Sequence, residues 1–132
     1  MEKLSSQPII KSLKKKFGNK FNIATESKNK FNFDGAYYQP DLVFYSKENN
    51  NIKAIIEVEQ GTRKHTVGGV ITADYCMGKL KQNPIMVVLA LTDQDRNDYI
   101  KRIKMLKRYI KHLKNIIIGN KAEIIKILKQ IP

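Results

Sequence analysis

The apolar residues of the chain fall into two rhythms, one helical and one extended, that alternate from end to end. Leu4, Ile9, Ile10, Leu13 and Phe17 recur at helical intervals. They predict a helix that begins near Ser5 or Ser6, carries Pro8 in its first turn and stops at Gly18. "FNIATES" (21 to 27) predicts a strand, and the stretch from there to Tyr38 has no clear period. "DLVFYS" and "NIKAIIEVE" flank the turn-forming run "KENNN" and predict a β-hairpin. Residues 65 to 81 predict a helix, although Gly68 and Gly69 weaken its first turns. "PIMVVLAL" (84 to 91) is a continuous apolar run, as expected of a strand buried on both faces. "TDQD" offers a cap with acids in the first turn of a helix that runs to about Lys114. "NIIIG" predicts a last strand and "KAEIIKILKQI" a last helix. With no repeat, linker or boundary, residues 1–132 read as a single domain. The order α-β-β-β-α-β-α-β-α predicts an α/β fold, a mixed sheet with helices packed on it.

The hairpin fixes which side chains share a face. Pairing its strands antiparallel about Asn49 sets Leu42 opposite Ile56, Phe44 opposite Ala54 and Ser46 opposite Ile52. Leu42, Phe44, Ile52, Ala54, Ile56 and Val58 then form one apolar face. Burial pins that parity, because a one-residue slip would turn an apolar set outward; slips of two stay open. The other face carries Asp41, Val43 and Tyr45 beside Lys53, Ile55, Glu57 and Glu59, with Asp41 directly across from Glu57. Like charges facing each other across a strand pair, with Cβ atoms about 5 Å apart, destabilise a sheet. A hard divalent cation with oxygen ligands offsets that repulsion economically. A solvated acidic patch, screened by water and nearby lysines, is the competing reading.

"QPDLVF" followed by "AIIEVEQ" resembles the two-part signature of the PD-(D/E)XK nuclease superfamily, the fold of many restriction endonucleases, Holliday-junction resolvases and repair nucleases. The resemblance covers roughly residues 3 to 91. It implies a restriction endonuclease-like mixed sheet flanked by helices, with core order α-β-β-β-α-β and here an added C-terminal α-β-α. It also implies a metal-dependent endonuclease that hydrolyses DNA phosphodiester bonds. By that match Asp41 and Glu57 bind Mg2+ (or Mn2+), and the carbonyl of Val58 is a further ligand. Position 59 departs from the pattern, with Glu59 where the family places Lys. Some members carrying Glu-x-Glu are active, so Glu59 is expected to bind metal or to act as general base toward water. Lys64 or Arg63, in "GTRKH", would then bring the missing positive charge to the scissile phosphate; ordinary contact with backbone phosphate is the alternative. If Glu59 does not serve, the chain is a catalytically inactive nuclease fold acting as a DNA-binding module. One branch of the superfamily carries Gln-x-x-x-Tyr on the following helix; here Ile71 stands four residues before Tyr75, and that sub-motif is absent. Tyr75 reads instead as a ring in the core with its hydroxyl at the rim. Glu2, a candidate extra acid, reads as part of a frayed terminus.

Charge enlarges the picture. The chain carries 25 Lys and Arg against 12 Asp and Glu, a formal net charge of +13 that calls for a polyanionic partner. On the long helix after "TDQD", Lys101, Arg102, Lys104, Lys107, Arg108, Lys111 and Lys114 surround an apolar stripe of Ile100, Ile103, Leu106, Ile110 and Leu113; Lys101, Lys104, Lys107, Arg108 and Lys111 are expected to grip DNA phosphates, and a solvated surface face is the alternative. His65 is a further candidate phosphate contact. Lys11, Lys14, Lys15, Lys16 and Lys20 add to the DNA reading if they lie on the same side. His65 and His112 have no partners at zinc spacing, "VGGV" does not match a phosphate-binding loop, and Cys76 reads as a small buried thiol. A single cysteine permits no internal disulfide. No run approaches the roughly 20 apolar residues of a membrane span, and no signal-type core opens the chain. The expectation is a soluble, intracellular, cytoplasmic protein, nucleoid-associated if it binds DNA, with no membrane partner; a homodimer stays open.

Overall fold

A computed structural model of the chain describes residues 6–25, 29–61 and 63–132, with the side chains of the last range described from residue 67 onward. Its elements, in chain order, are α1 (Gln7–Phe17), β1 (Phe21–Ala24), β2 (Phe31–Phe33), β3 (Ala36–Tyr38), β4 (Leu42–Ser46), β5 (Ile52–Glu59), α2 (Arg63–Leu80), β6 (Ile85–Ala90), α3 (Asp93–Leu106), β7 (Asn115–Gly119) and α4 (Lys121–Lys129). A mixed five-stranded sheet runs β1-β4-β5-β6-β7, and β2 pairs with β3 apart from it. β1, β4 and β5 pair antiparallel, whereas β5, β6 and β7 are parallel and are joined by α2 and α3. No described helix is long and apolar enough to cross a membrane.

Both faces of the sheet are covered, which explains why β4 and β5 are apolar almost throughout rather than alternating. On one face Leu42, Phe44, Ala54 and Ile56 pack with Ile10, Leu13 and Phe17 of α1 and with Ile124 and Leu128 of α4. Phe44 anchors this layer, its ring centroid 5.7 Å from that of Phe17 and 5.1 Å from that of Phe21. On the other face Val43, Ile55, Met86 and Val88 meet Val70, Ala73 and Met77 of α2 and Tyr99 and Ile103 of α3. The sequence places Pro8 in the first turn of α1, and the helix does begin there, after Ser6. Thr92 caps α3 by accepting from Asp95 N–H, and Asn120 closes a reciprocal capping box with Glu123 at α4.

The hairpin register is as expected at its centre, with Leu42 opposite Ile56 and Phe44 opposite Ala54. Beyond Phe44 it shifts: a bulge at Lys53 puts Tyr45, not Ser46, across from Ile52. Ile52 therefore leaves the expected apolar set and joins the layer under α2 and α3. Two other expectations are corrected. The stretch without a clear period contains the β2–β3 hairpin, whose Asp34 and Gly35 adopt left-handed φ of 53° and 82°, as a two-residue turn of mirror-image type requires. The helix expected to reach Lys114 ends at Leu106, followed by one 3-10 turn over Lys107–Tyr109 and then extended backbone. Asp74 of α2 is the reason. Its buried carboxylate accepts from the backbone N–H groups of Lys111, His112 and Leu113, at 3.2, 2.7 and 2.9 Å, which a continued helix would have kept for itself.

Candidate functional site

Because β4 is antiparallel to β5, the residue preceding β4 lies against the carboxyl end of β5, and that end adjoins the carboxyl end of parallel β6. Ligand sites of open α/β sheets favour this edge. Here a cavity of about 290 Å3 is lined by Asp41, Glu57, Val58 and Glu59 together with Ser6, Gln39, Gln60 and Leu91. The acids read from sequence as a group thus line one cavity. Leu91 is fixed there by a bond from its N–H to the Glu59 carbonyl, 3.1 Å.

Asp41 and Glu57 are interlocked through the backbone. Asp41 N–H donates to Glu57 Oε1 at 3.0 Å, and Val58 N–H donates to Asp41 Oδ2 at 2.7 Å. Each carboxylate thereby spends one oxygen on the neighbouring strand. Burial is the first cause that pushes the Glu57 carboxyl from an ordinary 4.5 up to about 8, and the charges of Asp41 and Glu59 push the same way; only the Asp41 N–H pulls it down. Burial raises the Asp41 carboxyl as well, against the bond from Val58. No basic side chain figures among these causes. Asp41 and Glu57 are thus partly buried acids that no described basic side chain balances.

Tyr38 completes the wall. Burial drives its hydroxyl well above the ordinary 10, reinforced by Glu57, Asp41 and Glu59, and among the described residues its oxygen has no hydrogen-bond partner. Gly69 of α2 lies over the same place: a Cβ there would stand 3.5 Å from Glu57 Oε2 and 3.9 Å from the Tyr38 ring. Both are ordinary contact distances, and at Gly68 a Cβ would meet nothing within 4 Å, so crowding requires neither glycine. Tyr38 and Gln39, unflagged in the sequence reading, immediately precede the Pro-Asp pair, and their adjacency was the available signal.

The donors are hard oxygens suited to Mg2+ or Mn2+, and the Asp41–Glu57 pair, balanced by no described basic side chain, favours a cation. Among the described residues, however, no group of three or more His, Cys, Asp or Glu side chains is drawn together as a metal cage. The described geometry supplies an interlocked pair with Glu59 on the same cavity wall.

The expected cationic partners divide by position. Lys64, Arg63 and His65 lie in the first turn of α2, just past β5, and their side chains are outside the described residues, as is Glu2. α3 starts at the carboxylate end, where Asp95 accepts from Gly61 N–H at 2.9 Å, and runs away from it. Fourteen residues at 1.5 Å each carry it about 21 Å. Lys101 lies partway along, whereas Lys104 and Lys107 share a cleft with Asn115 at the start of β7. Arg108 and Lys111 follow at that far end, where Lys114 N–H bonds to the Pro84 carbonyl. α3 therefore does not bring those four cations to the acids. Tyr75 is 40% exposed, and its hydroxyl donates to Asp34 Oδ2 at 2.7 Å rather than facing the cavity. Its ring is thus not the core element that the sequence suggested. His112 packs over Gly78, and Cys76 is buried as expected.

Comparison of the chain with protein-family models, with curated proteins and with solved structures finds no match.

Proposed function

We propose that this protein is a metal-dependent endonuclease of the restriction endonuclease-like type that hydrolyses DNA phosphodiester bonds. The observation that carries the reading is the Asp41–Glu57 pair: two acids, locked in place by each other's strands, partly buried and unbalanced by any described cation. Their position by the carboxyl ends of β5 and β6 supports it, as does the order α1-β1-β4-β5-α2-β6 that remains once the separate β2–β3 hairpin is set aside as an insertion.

In this reading Asp41 and Glu57 would hold the cation, and the carbonyl of Val58 would be a further ligand. A bound Mg2+ or Mn2+ would lower the pKa of water and offset phosphate charge. Glu59 accepts the proton as water attacks phosphorus, the opposite ester P–O bond breaks, and the leaving oxygen takes a proton from solvent water. The excess of basic residues draws the DNA backbone to the protein.

Glu59 in place of a lysine favours one other reading, an inactive nuclease fold that binds DNA. Nicking of supercoiled plasmid separates the two. Wild-type protein with Mg2+ or Mn2+ is expected to nick, and Asp41→Ala is expected to bind DNA but not nick. Wild-type binding without metal-dependent nicking would leave only the binding module.

A further inference from the structure

We propose that Lys11 and Lys14 of α1 seat the DNA phosphate next to the one cleaved, in a basic groove that opens from the carboxylate cavity; the inference rests on the nuclease reading above. The groove is a second cavity of about 290 Å3, with Lys11 and Lys14 on one wall and Thr25, Asn29, Gln39 and Asp41 on the other. Gln39 and Asp41 line both cavities, so acid and base lie on either side of one shared wall.

That wall is held in shape independently of any ligand. The Asn29 side-chain amide donates to the Pro40 carbonyl, and the Gln39 amide donates to Asn29 Oδ1 at 3.4 Å. Opposite it, Gln7, Lys11 and Lys14 follow at four- and three-residue steps and so form one stripe of α1. Leu13 and Phe17 bury the other side of the helix and fix which way the stripe faces.

The lysines are not committed elsewhere. Both are exposed, and neither has an ion-pair partner among the described residues. Charges of opposite sign held close without pairing suit a ligand that needs both: a cation-bridged phosphate at the acids, and a flanking phosphate of the same strand on the lysines. A phosphodiester chain offers successive phosphates to the two adjoining cavities, whereas one isolated phosphate would fill only one. The four cations at the far end of α3 cannot reach the same pair of phosphates, given the roughly 20 Å that the helix spans.

The test measures binding and cleavage separately. Binding of a fluorescein-labelled duplex is followed by anisotropy in Ca2+ across a salt series, for wild type, Lys11→Ala/Lys14→Ala and Lys11→Glu/Lys14→Glu. These side chains are exposed, and circular dichroism checks that the variants fold. The alanine pair is expected to weaken binding about tenfold at 100 mM salt and to lower the salt slope by about two, and the glutamate pair to weaken binding further. Unchanged affinity and slope in both variants would overturn the proposal. If wild type nicks plasmid and the alanine pair nicks with unchanged KM, the groove assignment fails and the nuclease reading stands. If wild type never nicks, yet binding depends on these lysines, the hydrolytic reading fails while the groove assignment holds.

Discussion

Replacing Glu57 by Gln isolates the electrostatic cost of the carboxylate cavity. A carboxyl whose folded pKa lies above its unfolded value keeps its proton longer in the folded protein, so stability falls as pH rises through the interval between the two values. For Glu57 that interval runs from 4.5 to about 8. The span of about 3.5 units, at 1.36 kcal/mol each, sets a ceiling of about 5 kcal/mol. The side chain is only half-buried, and water access trims the figure to about 2–3 kcal/mol. The amide oxygen of the introduced glutamine would still accept from Asp41 N–H, so the substitution removes the charge and keeps the bond. Urea unfolding followed by circular dichroism at steps from pH 5 to pH 9 reads the difference. The difference between the two proteins is expected to be smallest at pH 5, and Glu57→Gln to gain about 1–2 M in urea midpoint by pH 9. Millimolar Mg2+ should close most of that gap by stabilising wild type, because the cation binds the ionised acid. Parallel pH curves for the two proteins would refute the reasoning, since they would mean that the acids carry no uncompensated charge.

Tyr38→Phe removes a buried hydroxyl that has no partner among the described residues, and is expected to raise stability by about 1 kcal/mol by thermal unfolding. Asp74→Ala leaves three backbone N–H groups without their acceptor and should cost about 3 kcal/mol in denaturant, with faster amide exchange at 111–113 than elsewhere. At the acid limb, the Arg96 guanidinium, bonded to Glu123 at 2.7 Å, and the bond from Asn120 N–H hold the Glu123 carboxyl at about 2, below its ordinary 4.5. Its contribution is present above pH 4.5 and is lost as pH falls toward 2, so Glu123→Gln should flatten the acid-unfolding curve in that window. Gly78→Ala would place a methyl 2.5 Å from the His112 ring, and should lower the melting temperature unless the ring swings away, which a shifted His112 resonance would reveal.

The sequence carried the sheet-forming segments and the facing pair Asp41 and Glu57, because both follow from strand alternation and from burial of one parity. It misjudged features that depend on distant partners. Apolar spacing continues through Ile110 and Leu113, yet the backbone leaves the helix because Asp74, far back in the chain, captures the amides that a longer helix would need. The bulge at Lys53 sends Ile52 to the other layer, and no local pattern marks it. The β2–β3 hairpin, in contrast, was legible: Asp34-Gly35 between two aromatic runs is strong turn chemistry that periodicity alone passes over. Charge was legible as a total and not as a distribution. The lysine-rich end of α3 drew weight that its direction away from the acids does not support, while the shorter run on α1 lies beside them.

The crossed bonds between Asp41 and Glu57 also make the two acids a gauge of strand alignment. Each carboxylate is satisfied only when the partner strand presents a particular amide, so sliding β4 by one step along β5 would strand both at once. The two positions should accordingly show a coupling energy in a double-mutant cycle. Substitutions deep in the hairpin that relax its alignment would then silence the site without touching either acid.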